Sequence, residues 1–117
     1  MPILYSLFGP FLVWPLEYFL PYPYIIEEAF KAVVVVKGPK SLMLYVISGM
    51  GFAFSETVLY SLNTSVPLER MFLTSILHSG TFAVIYFFNN KKALWVGLLV
   101  AALIHYLFNL FFGGVFF

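Results

Sequence analysis

The sequence contains no cysteine and no aspartate, and only 9% of its 117 residues are charged. Without cysteine there is no disulfide scaffold, no thiol nucleophile and no Cys-ligated zinc or iron–sulfur cluster. The scarcity of charge excludes more. A soluble domain carries about 25% charged residues, and a chain that is 62% hydrophobic and 21% aromatic cannot cover a surface facing water. Six Lys/Arg set against five Glu give a net charge of +1. That leaves no basic patch for nucleic acid. The apolar excess excludes intrinsic disorder as well. One integral membrane domain spanning residues 1–117 remains, with a mean hydropathy of +0.98.

What the chain does have is long apolar runs. A transmembrane helix needs ~20 mostly apolar residues. Ser41–Pro67, Met71–Asn90 and Ala93–Phe117 meet that length, and they carry Glu56, His78 and His105 respectively. Met1–Phe19 is apolar apart from Glu17 and is interrupted by Pro10 and Pro15, so it reads as a fourth, bent span. Pro21-Tyr22-Pro23 forces a turn. Tyr24–Lys37 follows as a short helix reaching about 20 Å. Its valine run favours a strand by propensity, but an open strand in lipid leaves backbone groups unpaired. Lys37-Gly38-Pro39-Lys40 supplies stop signals. The expectation is an all-α, polytopic transmembrane helix bundle of four full spans plus one short helix. The N-terminus has neither a basic n-region nor an A-x-A-like site, so no cleaved signal peptide is expected.

Five alternating helices place Lys37, Lys40, Lys91 and Lys92 on one side of the membrane and Arg70 on the other. The positive-inside rule puts the lysines and the N-terminus in the cytoplasm. Trp14, Tyr18, Tyr22, Tyr24 and Tyr60 then approach the outer interface as an aromatic belt.

The ionisable groups inside these runs are expensive, at roughly 2.5–3.5 kcal/mol for a charge at mid-membrane. Glu27 and Glu28 open their helix. Glu56, His78 and His105 fall about 10–15 Å below the outer ends of theirs. Helical spacing puts Gly49, Ala53, Glu56 and Tyr60 on one face. It does the same for Gly97, Ala101, His105 and Asn109, and for Arg70, Thr74, His78 and Thr81. Small residues mark helix contacts in membranes, so Glu56 and His105 are expected to point inward. One such residue alone reads as interhelical glue. Glu17 reads as an interfacial residue, Glu69 as a loop partner of Arg70, and Lys31 as an i, i+4 partner of Glu27. Three carboxylates and two imidazoles at one depth exceed what holding five helices together requires.

At these residues the chain resembles a known family. Glu27-Glu28-Ala29-Phe30-Lys31 has the form EExxK, and Gly49 to Glu56 the form GxGFAxxE. Arg70 precedes His78 on the next helix, and His105 to Asn109 has the form HxxxN. The order resembles that of the PrsW intramembrane proteases, related to the CAAX-protease and bacteriocin-processing group, and it covers residues 24–112 as a minimal core. The resemblance implies that Glu27, Glu28, Glu56, His78 and His105 are catalytic, with Lys31, Arg70 and Asn109 in support.

Two mechanisms fit these residues. In one, Glu27 or Glu28 is a general base that activates water, while one histidine stabilises the oxyanion and the other serves the leaving amine. In the other, His78, His105 and Glu56 hold a divalent metal such as zinc, since two His plus Glu is a catalytic zinc set. HExxH is absent, and metal-free water activation is preferred. The expected function is hydrolysis of a membrane-anchored protein near the outer face, in a prokaryotic plasma membrane. The partners are that substrate and the lipid bilayer, with no nucleic acid and with a homo-oligomer left open. The alternatives are a non-catalytic membrane subunit that binds a transmembrane partner, and a small proton or ion transporter, because buried Glu and His also form proton relays.

Overall fold

The computed structural model describes residues 2–62, 65 and 68–116, and side chains as far as Phe112. Its elements are five helices: α1 (Pro2–Phe19), α2 (Pro23–Lys37), α3 (Leu42–Ser61), α4 (Leu68–Asn90) and α5 (Leu94–Phe116). No strand occurs among the described residues, so the valine run of α2 is helical. α3 stops at Ser61, short of the Ser41–Pro67 run; Asn63 and Pro67 from that run lie outside the described residues, as does Phe117.

Three helices, α3, α4 and α5, are long and apolar enough to cross a membrane. α1 falls short of the other three in apolar content, because Pro10, Pro15 and Glu17 dilute an 18-residue helix. The bundle is 40 Å long, close to the thickness of a bilayer with its headgroups at about 40–45 Å. Large apolar side chains such as Phe8, Phe54, Phe72, Trp95 and Leu99 are exposed around its circumference. That is the expected surface of a helix bundle whose solvent is lipid.

Local signals set the helix ends. Pro23 sits in the first turn of α2, where a missing N–H costs nothing. Tyr22 caps that helix from the left-handed region at φ 61°, so the reversal between α1 and α2 is tight. At the far end the Gly38 N–H returns to the Val35 carbonyl. The Ser41 hydroxyl caps α3 by accepting from the Leu44 N–H at 3.4 Å. Tyr45 ties this corner together by donating to the Pro39 carbonyl at 2.8 Å.

α3 and α4 form an antiparallel pair at the centre. Their register runs from Tyr45 against Tyr86, through the Ser79 hydroxyl donating to the Val46 carbonyl at 2.7 Å, to Glu56 against Arg70. It follows that the α2–α3 and α4–α5 connections, with their four lysines, lie at one end. α1 packs on α3, α5 on α4, and α2 contacts α1, α4 and α5. An apolar core of Ala32, Val34, Val35, Tyr45, Phe82, Ile85 and Ala101 fills the lysine end. The polar residues collect in the other half.

Gly49 makes the α3–α4 approach possible. A Cβ there would collide with the backbone of His78 and Ser79. Gly80, by contrast, faces open space. Gly49→Leu should therefore lower unfolding stability in detergent by about 1–3 kcal/mol or more, whereas Gly80→Leu should not. Denaturant titration of the two variants checks this, and equal midpoints would contradict the packing.

Candidate functional site

Four helices contribute to one buried polar cluster. α2 supplies Glu27, Glu28 and Lys31, α3 supplies Glu56, α4 supplies Arg70, His78 and Thr81, and α5 supplies His105. All eight are buried. The placement follows from helix faces. Gly49 and Ala53 bring α3 close on the face that carries Glu56, and Ala101, fully buried one turn before His105, does the same for α5.

His105 sits between the paired glutamates. Its Nδ1 donates to Glu28 Oε1 at 2.8 Å, and its Nε2 lies 3.2 Å from Glu27 Oε2. Glu28 thereby fixes the ring, as a carboxylate fixes a catalytic imidazole. A second pair lies alongside. Glu56 Oε1 accepts from Arg70 Nη2 at 3.1 Å, and Glu56 Oε2 is 3.3 Å from His78 Nε2. The Arg70 guanidinium also stacks over the Tyr60 ring at 4.6 Å. The two imidazole rings are 5.6 Å apart. Glu28 Oε2 is buried without a hydrogen-bond partner among the described residues.

Lys31 departs from its sequence reading. An i, i+4 partnership with Glu27 was the expectation. Instead the fully buried ammonium donates to Glu28 Oε1 at 2.8 Å, to His78 Nδ1 at 2.7 Å and to Thr81 Oγ1 at 2.8 Å. The Phe52 and Phe82 rings lie 5.2 and 5.7 Å from it.

Glu17 is half-buried near the end of α1. Glu17 and Glu27 lie five residues on either side of Tyr22, so a tight reversal at Tyr22 brings them level. Asn109 does not join the cluster. It is exposed on α5, with no side-chain hydrogen bond among the described residues. α2 begins at Pro23, and Tyr24 already meets Tyr106 with ring centroids 5.7 Å apart, so α2 ends before it could cover Asn109. Glu69 is exposed.

The His78, His105 and Glu56 set does not suit a metal. Among the described residues no three His, Asp or Glu side chains are arranged to hold one. The donor chemistry gives the reason. His78 Nδ1 and Glu28 already face an ammonium, Glu56 faces a guanidinium, and both nitrogens of His105 face carboxylates.

No protein-family model matches the chain, and no curated protein or solved structure matches it either.

Proposed function

We propose that this protein is a multi-pass intramembrane protease of the PrsW-like kind that cuts a membrane-anchored protein near the outer face. The observation that carries this reading is the junction of Glu27, Glu28 and His105. A carboxylate-oriented imidazole faces a second carboxyl group across 3.2 Å, inside an otherwise apolar bundle. Glu27 takes a proton from water as the water attacks the scissile carbonyl. The His78 Nε2–H, which Glu56 Oε2 faces at 3.3 Å, donates to the oxyanion that forms. As the C–N bond breaks, the proton held between Glu27 and His105 passes to the leaving amine. No step needs a metal.

Cleavage tests the proposal directly. Tagged single-span proteins co-expressed with the wild-type chain should release a truncated fragment that is missing with Glu27→Gln. If a folded wild-type bundle releases no fragment from any substrate, the cluster is instead the polar core of a binding subunit or a proton path.

α1 completes the topology as a fourth crossing, with the N-terminus and the lysine end in the cytoplasm. A membrane-impermeant amine reagent on intact cells should then leave Lys37, Lys40, Lys91 and Lys92 unlabelled, and label them only after lysis. Labelling of Lys91 and Lys92 from outside would invert the orientation.

A further inference from the structure

We infer that Lys31 is the site's own cation: its ammonium takes up the lone pair of His78 Nδ1, so that this imidazole presents an Nε2–H toward Glu56 and the reaction space. An ammonium has three N–H donors and no acceptor. All three donors are used within the bundle, on Glu28, His78 and Thr81. Because Lys31 can only donate, the His78 Nδ1 that it meets at 2.7 Å must be the unprotonated nitrogen. The proton of the neutral ring is then on Nε2. Hydrogen-bond partners on one nitrogen setting the function of the other is how imidazole tautomers are generally fixed.

The same ammonium shares Glu28 Oε1 with His105 Nδ1. One cation therefore orients both imidazoles, His78 directly and His105 through Glu28. It comes from the helix that carries the two glutamates, one turn from Glu28, and reaches across the bundle to α4. Lys31 is thus a positioning residue. It does for two histidines what a metal would do, and it takes the donors a metal would need. The packing around it suits a cation, since the Phe52 and Phe82 rings stand at cation–π distance from Nζ.

The tautomer rests on geometry alone; its catalytic consequence rests on the protease reading. The experiment separates the two. The chain has two histidines, so protein labelled with 15N-histidine and purified through a histidine-free tag gives two imidazole spin systems, which the His105→Gln variant assigns. In the wild-type protein His78 should show an unprotonated, hydrogen-bonded Nδ1 and a protonated Nε2. Lys31→Met should remove that hydrogen-bond shift and let the tautomers mix. It should lower cleavage by roughly 10–100-fold, the scale for loss of an outer residue that orients a site. Lys31→Arg, which keeps a donor, should retain the unprotonated Nδ1. A protonated Nδ1 in the wild type overturns the inference on its own, even if neither variant folds. An unchanged His78 spectrum in folded Lys31→Met overturns it too. A spectrum as expected in a protein that cleaves nothing leaves the tautomer in place and removes the protease reading.

Discussion

Glu27→Gln should reduce cleavage by ~10²–10⁴-fold, the scale of a lost general base, while the bundle stays folded. Gln keeps the shape of Glu and its carbonyl oxygen but cannot take a proton. Glu27 faces His105, whereas the ion pairs of Lys31 and Arg70 are made by Glu28 and Glu56. Glu28 stands differently. It is the ion-pair partner of Lys31, and both side chains are fully buried. Glu28→Gln leaves an ammonium without its counter-charge, and breaking a buried pair from one side costs about 3–5 kcal/mol. The two variants should therefore part company: Glu27→Gln loses turnover at normal stability, whereas Glu28→Gln loses both. Cleavage rates measured beside denaturant midpoints in detergent distinguish them. Normal turnover by Glu27→Gln would end the assignment of the base to that residue.

A stability effect of the same size is expected at Arg70. Its guanidinium pairs with Glu56 where only 3% and 8% of the two side chains are exposed. Arg70→Met removes the cation and strands a carboxylate in the interior, a loss of about 3–5 kcal/mol. Glu56→Gln removes the carboxylate that faces the guanidinium. Combining them should recover a large part of the loss, because neither charge is then left alone. A double-mutant cycle on unfolding midpoints reads this coupling directly. Strict additivity would show that the pair contributes nothing of its own.

Much of the bundle could be read from the sequence, and the failures have a common cause. Run length and periodicity report on one helix at a time. They located α3, α4 and α5 and turned Glu56 and His105 inward, since Gly49, Ala53 and Ala101 mark the same faces. They could not say which helices become neighbours. Lys31 reaches His78 across 47 residues of sequence, and that depends on how α2 and α4 are rotated against each other. The i, i+4 rule offered Glu27 as a partner, but the interior offered three acceptors at hydrogen-bond length. Asn109 shows the converse error. It shares a face with His105, but α5 runs on past the start of α2, so the face there has nothing opposite it. The count of four spans strained the same reasoning, because two prolines and a glutamate in α1 alter its apolar content without altering its length.

The distribution of the ionic partners over the helices also bears on how the protein enters the bilayer. Lys31 and Glu28 lie on one helix and can neutralise each other before anything else arrives. Glu56 and Arg70 lie on consecutive helices, so α3 and α4 gain by leaving the translocon as a hairpin, with the charges already matched. Each charge entering alone would meet a penalty of roughly 2.5–3.5 kcal/mol. Glu27 has to wait longest. The imidazole it faces is on α5 and is synthesised 78 residues later, after every other member of the cluster is in the membrane. Completion of the site is thereby tied to translation of α5.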